Sequence, residues 1–390
     1  MMRDIIDRPA LRRRIEAGLR RNPAVSLVGP RQCGKTTLAR DLSQRRKAEY
    51  FDLEDPRSLR RLESPLTALE ALRGLVVIDE TQLKPDLFPI LRVLADRSPI
   101  PARFLLLGSA SPALLQQSSE TLAGRVETVE MSGFSLDETG AGAMRTLWLR
   151  GGFPRSFLAE NDQASMAWCE NFIQTFLERD LGRFGIRIPA PTLRRFWNML
   201  AHFHGQIFNS SELARSLGEA HTTVRRHLDV LCGALVVRQL PPWFENLGKR
   251  QVKSPKIYLR DSGLLHALLG IARFPELEAH PKLGASWEGF VIEEVLRITG
   301  DRQAYFWATQ AGAELDLLVF WRGRRIGVEV KYGDAPGLTK SMAIAMTDLR
   351  LDHLFVVYPG QSSYRLNDKA EAVPLAGLPA RLSAIRAPSV

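Results

Sequence analysis

Residues 24–39 read AVSLVGPRQCGKTTLA. Val25, Ser26, Leu27 and Val28 make a short apolar-leaning run suited to a buried strand, and it feeds straight into Gly29. From there the spacing Gly29, four residues, Gly34, Lys35, Thr36 is that of a phosphate-binding loop opening onto a helix. Glycine at 29 and 34 allows dihedrals that other residues resist, so amides around Pro30, Arg31, Gln32, Cys33 and Gly34 can turn inward and ring a β-phosphate. Lys35 adds a mobile ammonium for the β- and γ-phosphates. Thr36 offers a hydroxyl to Mg²⁺, Thr37 follows it on the first turn, and the helix points its positive end at the anion. Strand, loop and helix fall in the order the pattern needs, which predicts binding of a nucleoside triphosphate, taken as ATP, with magnesium.

Such a loop needs acids beside it. Gly74 is followed by Leu75, Val76, Val77 and Ile78, then Asp79 and Glu80. An apolar strand ending in adjacent acids lets Asp79 join a magnesium shell while Glu80 orients an attacking water. The next apolar run, residues 103–107, ends at Gly108 and Ser109. Ser109 is read as a sensor of the γ-phosphate or, equally, as a plain helix cap. Arg125, just before a fifth strand, is a candidate for stabilising transition-state charge in its own or a neighbouring subunit, with a simple surface arginine as the alternative.

The chain has 390 residues, enough for two or three domains, and 45% hydrophobic with 25% charged residues is ordinary for a globular protein. Its apolar runs are strand-length, so no membrane span is expected, and the start, MMRDIIDRPALRRR, lacks the apolar core of a signal peptide. Three scattered cysteines, Cys33, Cys169 and Cys232, argue against a disulfide frame or zinc site and for a cytoplasmic setting. The net charge of +10 favours a polyanionic partner, with a merely soluble basic protein as the equal alternative until the charge is localised.

GPRQCGKTTLA, LVVIDETQ, LLLGSAS, LAGRVETVEM and GGFPRSFL, in that order, resemble the AAA-plus-type ATPases of bacteria and archaea that carry a C-terminal domain of unknown function. The resemblance runs from about Leu19 to Tyr358. It implies an α/β fold with a parallel P-loop sheet in 5-1-4-3-2 order, ATP at Gly29, Gly34, Lys35 and Thr36, and magnesium and hydrolysis at Asp79 and Glu80. Cys33 departs from the small aliphatic residue usual there, and bound nucleotide is expected to shield it from alkylation.

Beyond the P-loop sheet, Met166, Phe172, Ile173, Phe176 and Leu177 predict a long amphipathic helix over 164–184, and Leu193, Phe196, Trp197, Leu200 and Phe203 a second. From residue 209 to 261 two short helices around Gly218, the second capped by Thr222 or Thr223, precede strand-like residues 235–240, the basic stretch GKRQVKSPK, and Ile257, Tyr258 and Leu259. That is the pattern of a winged helix. Arg225 and Arg226 near the second helix start, with Lys249, Arg250, Lys253 and Lys256 on the wing, sit where DNA would be met; a packing module with a solvated wing is the other reading.

In GAELDLLVFWRGRRIGVEVKYG, Val328 and Val330 share one face, Glu329 and Lys331 the other. A hairpin centred on Arg322 and Gly323 pairs 321 with 324 and brings Asp316 opposite Glu329. Facing carboxylates repel unless a cation lies between them. With Lys331 alongside, the set suits a magnesium site for phosphodiester hydrolysis. The spacing resembles the PD-(D/E)XK nuclease superfamily, with Glu288 matching the acid of its first helix. A mixed-charge strand, or a nuclease fold that no longer cuts, remains open. A bulge at 322–325 would put Asp316 out of register.

The expected layout is a P-loop ATPase domain over 1–145, a helical lid over 146–205, a winged helix over 206–265 and a restriction-endonuclease-like α/β domain over 275–375. Its expected work is magnesium-dependent ATP hydrolysis that engages DNA, with metal-dependent cleavage at Asp316, Glu329 and Lys331. The rival expectation is a non-cutting ATP-dependent switch that holds a protein partner or a second copy of itself.

Overall fold

The computed structural model describes residues 6–109, 121–180, 188–244 and 252–387. These fall into two compact units, Met1–Phe134 with Asp229–Val236, and Ser135–Leu228 with Val237–Val390.

In the first unit the apolar runs become β1 (Ala24–Gly29), β2 (Glu49–Asp52), β3 (Gly74–Asp79), β4 (Ala102–Ser109) and β5 (Val126–Glu130). They pair in parallel in the order β5-β1-β4-β3-β2, the order that the resemblance implied. Every residue of β1 is buried, as a strand covered on both faces demands. Phe51, Ile78, Phe88, Leu91, Phe104 and Leu106 fill one apolar layer of this unit. Because all five strands run the same way, Gly29, Asp79 and Ser109 end on one edge. That edge carries the phosphate-binding loop.

The second unit begins with helices. The long helix expected over 164–184 is helical over Asp162–Thr175 and continues as a wider turn over Phe176–Asp180, while residues 181–184 lie outside the described residues. Phe172 stacks on Phe176, and Phe176 meets Trp197 of the helix Ala190–His202, so this aromatic stripe is core. Then come β6 (Gln206–Ile207), helices Ser210–Leu217 and His221–Gly233, β7 (Val237–Leu240) and β8 (Lys256–Leu259), the strands ordered β6-β8-β7. Gly218, at φ 71°, closes the first of these helices as a left-handed cap. The second starts at His221, one residue before the expected threonine caps.

A further sheet holds β9 (Ala304–Ala308), β10 (Glu314–Trp321), β11 (Arg324–Val330), β12 (His353–Tyr358), β13 (Tyr364–Asn367) and β14 (Ala370–Pro374), in the order β13-β14-β12-β11-β10-β9, and the helix Leu378–Ala384 follows it. Arg322 and Gly323 both take positive φ, 49° and 74°, and so make the two-residue turn that matches strand twist. The register runs from Trp321↔Arg324 to Leu317↔Val328 without a bulge, as expected. The irregularity lies on the other side of β10, between Leu315 and Leu318 against β9, beside Asp316. Met342 and Ala345 of the helix Lys340–Asp348 cover one face, over Leu315, Leu318, Leu354 and Val356. No helix among the described residues is long and apolar enough to cross a membrane.

Candidate functional site

Gly34 takes φ 100° at the start of the helix Lys35–Arg46, a conformation that favours glycine, and Gln32 also takes a positive φ of 60°. Gly29 is needed for a different reason from the dihedral freedom the sequence suggested. A Cβ there would meet the Met131 carbonyl oxygen at 2.1 Å and Cys33 Sγ at 3.0 Å, so the position requires the absence of a side chain. Lys35 is buried and its Nζ donates to the carbonyls of Gly29 at 3.0 Å and Pro30 at 2.9 Å. Cys33 is fully buried with its thiol on the Met131 carbonyl at 3.6 Å. The expectation that nucleotide protects an otherwise open Cys33 is therefore corrected, since the fold already covers that thiol.

Asp79, 2% exposed, is the hub of the strand tips. Its Oδ2 accepts from the Thr36 hydroxyl at 2.9 Å and from the Tyr50 hydroxyl at 2.6 Å, while Oδ1 accepts the Glu80 amide at 3.0 Å. Burial, and then the Asp79 carboxylate beside it, push the Tyr50 hydroxyl pKa up, so it stays a donor. Glu80 sits in the left-handed region at φ 56°, a strained conformation for a residue with a side chain. Gln82 donates its Nε2 to the Glu80 carboxylate, and burial, with Asp79 nearby, raises the Glu80 pKa against the pull of Gln82 and Lys35. Ser109, paired in register with Gly29, is 2% exposed, and its hydroxyl finds no hydrogen-bond partner among the described residues. An orphaned hydroxyl at this edge suits a phosphate oxygen, and the Thr36–Asp79 pair suits magnesium.

Arg125 is not brought to this edge. It precedes β5, and its carbonyl accepts the amide of Ala24, the first residue of β1, so it stands at the opposite end of the sheet from the loop. Its guanidinium holds Asp96 through Nε at 2.5 Å and Nη2 at 2.9 Å. A role on the phosphates of its own subunit is corrected on that geometry.

The C-terminal acids do converge, but around a lysine. Asp316 and Glu329 are buried, and Asp316 Oδ2 accepts the Val330 amide at 2.8 Å. Lys331 Nζ donates to Glu329 Oε1 at 2.8 Å. Glu288 Oε1 accepts from Tyr258 at 2.5 Å and from Lys256 at 3.1 Å, and Lys256 also pairs with Glu314 and lies 3.7 Å from Asp316 Oδ1. Burial, then the Asp316 charge, push both Glu288 and Glu329 well above the usual carboxylate range. Burial alone would discharge Lys256, yet the acids around it, Glu288, Asp316 and Glu314, more than offset it and hold the ammonium charged. Among the described residues no group of three or more His, Cys, Asp or Glu side chains is placed to hold a metal ion. The metal set expected from Glu288, Asp316 and Glu329 is corrected accordingly, because the positive charge among these acids is Lys256.

The AAA domain family matches residues 21–140, a domain of unknown function, DUF8612, matches 142–274, and a second, DUF4143, matches 283–378. Uncharacterized protein Rv2008c of Mycobacterium tuberculosis is 54% identical over 370 residues, covering 95% of this chain and 84% of that protein. Uncharacterized protein Mb2031c of Mycobacterium bovis matches with the same 54% identity and the same coverage. The chain belongs to their family, one of P-loop ATPases. Among solved structures it is similar to the Walker-type ATPase PABY2304 of Pyrococcus abyssi, at 16% identity and TM-score 0.48 over 68% of this chain and 96% of that one. It is also similar to the Bacillus subtilis DNA clamp loader delta protein, YqeN, at 14% identity and TM-score 0.30 over 57% and 87%.

The expected DNA-facing residues of this family member divide. Arg225 and Arg226 are exposed on the helix His221–Gly233, and Lys253 is exposed. Lys256 is not available to a phosphate, being 4% exposed within the acid cluster, so its assignment to a DNA-binding wing is corrected. On either side of residues 245–251, which lie outside the described residues, the Trp243 amide donates to the Phe306 carbonyl at 2.7 Å and the Val252 amide to the Ala308 carbonyl at 3.1 Å, both on β9. Lys249 and Arg250 lie outside the described residues.

Sequence reasoning missed Tyr50, Gln82 and Arg8. Arg8 is buried, its Nη1 donating to the carbonyls of Cys33 at 3.4 Å and Ser132 at 3.0 Å and its Nη2 to Gly133 at 2.9 Å. For Tyr50 a signal was present: on the short strand Glu49–Asp52 it shares a face with Asp52, two residues on, opposite the buried Phe51. Arg8 stands among many arginines and nothing local distinguishes it.

Proposed function

We propose that this P-loop ATPase depends on magnesium, held by Thr36 and Asp79, and that Glu80 orients the attacking water while Lys35, Gly34 and the loop amides hold the phosphates. The single observation that carries the reading is the 2.9 Å bond between the Thr36 hydroxyl and Asp79 Oδ2, one from the loop's helix and one from the tip of β3. When bound, the ion supplies charge neutralisation at the β- and γ-phosphates. Lys35 would exchange its two loop carbonyls for phosphate oxygens, Ser109 would donate to one of them, and Glu80 would turn from Gln82 toward water. The decisive experiment compares Lys35→Ala and Glu80→Gln. Lys35→Ala is expected to abolish turnover and Glu80→Gln to keep ATP bound but unhydrolysed; hydrolysis surviving Lys35→Ala would remove that lysine from the site.

A second reading concerns the partner. Exposed Arg225 and Arg226, in a chain of net charge +10, support DNA contact through the helix His221–Gly233, which we read as part of a winged helix. Lys256 among the acids favours a C-terminal domain that holds nucleic acid or protein over one that cuts. Affinity for DNA should fall with salt, and Arg225→Ala with Arg226→Ala should reduce the slope by about one for each phosphate no longer neutralised. No binding, or a slope near zero, would favour a protein partner.

A further inference from the structure

Lys256 and the acids around it come from distant stretches of the chain. The lysine is on β8, Glu288 is on the helix Leu283–Thr299, and Glu314 and Asp316 are on β10. Its ammonium reaches Glu288 Oε1 at 3.1 Å and Asp316 Oδ1 at 3.7 Å and pairs with Glu314, with its side chain only 5% exposed. Tyr258, two residues along β8, donates to the same Glu288 oxygen at 2.5 Å. Beside them Glu329 is 5% exposed, and its Oε2 has no hydrogen-bond partner among the described residues. Carboxylates gathered in a poorly hydrated place repel strongly, and removing the cation they share leaves uncompensated charge. An ammonium with three carboxylates about it stands where a hard divalent cation, which prefers oxygen donors, would otherwise be drawn.

We infer that Lys256 is a built-in counterion that fills the cation position of this cluster, so that a divalent ion is excluded from it. The placement of β8 beside β10 and the helix Leu283–Thr299 is what seats the lysine among these acids. The spare Glu329 oxygen gives such an ion a further donor once Lys256 is removed by substitution.

The test titrates nucleotide-free full-length protein with Mn²⁺, following free ion by electron paramagnetic resonance. Wild type and Asp316→Asn should bind Mn²⁺ alike, because the lysine already excludes it. Lys256→Ala should gain a site at least tenfold tighter than any the wild type has, and adding Asp316→Asn should remove that gain. Lys256→Arg, which keeps a cation in place, should behave as wild type. A wild-type Mn²⁺ site that Asp316→Asn abolishes would overturn the inference, and this comparison decides the matter even if Lys256→Ala does not fold. A folded Lys256→Ala chain with no new site would overturn it as well.

Discussion

Replacing Glu293 by glutamine should destabilise the second unit by an amount that its surroundings set. The Glu293 carboxylate, 5% exposed, is gripped by Arg238 through Nε and through Nη2 at 3.2 Å, and by Arg260 Nε at 3.3 Å. Both arginine side chains are only 10% exposed. Burial alone would raise this carboxyl's pKa, but Arg238 and then Arg260 reverse it and hold it at about 2 against an ordinary 4.5. A shift of that size corresponds to roughly 3 kcal/mol at neutral pH, and removing one member of a buried ion pair costs about 3–5 kcal/mol, so the two routes agree in scale. For a unit of this size about 1 kcal/mol moves Tm by about 2–4 °C, which puts the expected loss at about 6–12 °C. Scanning calorimetry of Glu293→Gln across pH measures it. A depressed carboxyl contributes stability that is fully present above 4.5 and fades as pH falls through about 2. The gap between wild type and variant should therefore be flat from about pH 8 to 5 and narrow below that. A loss under about 2 °C at neutral pH, or a gap that widens on acidification, would refute the account.

Tyr50→Phe removes one of the two hydroxyls that fix Asp79 Oδ2, so Mn²⁺ affinity in the presence of a non-hydrolysable ATP analogue should fall about tenfold, roughly 1.4 kcal/mol, while Tm stays near wild type. Equal Mn²⁺ affinity would show Tyr50 to be a spectator. Gly29→Ala forces a Cβ to 2.1 Å from the Met131 carbonyl and should cost about 1–3 kcal/mol of stability and abolish binding of a fluorescent ATP analogue; retained binding would mean the loop relaxes freely. Iodoacetamide should label Cys33 slowly whether or not ATP and magnesium are present, and fast labelling of nucleotide-free protein, mapped by mass spectrometry, would contradict its burial.

The P-loop sheet was legible because each of its signals is local. Val25 to Gly34 needs only contiguous residues, and Leu75 to Glu80 places two acids at the end of an apolar run whatever surrounds it. The hairpin at Arg322 and Gly323 was legible for a similar reason, since two positive-φ residues fix the register of their own flanks. What escaped depends on distant pairings. Lys256 lies in a basic stretch, and only the pairing of β8 with β6 and β7 beside the helix Leu283–Thr299 turns it inward to Glu288. Arg125 looked close to the loop because it precedes a strand that pairs with β1; the parallel direction puts it at the wrong end. Glu293 falls within an apolar helix stripe and gives no sign that Arg238 and Arg260 await it.

Arg8 has a practical bearing on how this protein is handled. One guanidinium from the residue before the first helix ties together the backbone at Cys33, Ser132 and Gly133, points that lie 25 and more than a hundred positions downstream. A fragment trimmed to the AAA match begins at residue 21 and discards that tie. Recombinant truncations designed from the matched span alone would thus test a loosened cradle, and a weak nucleotide signal from such a piece would reflect where it was cut.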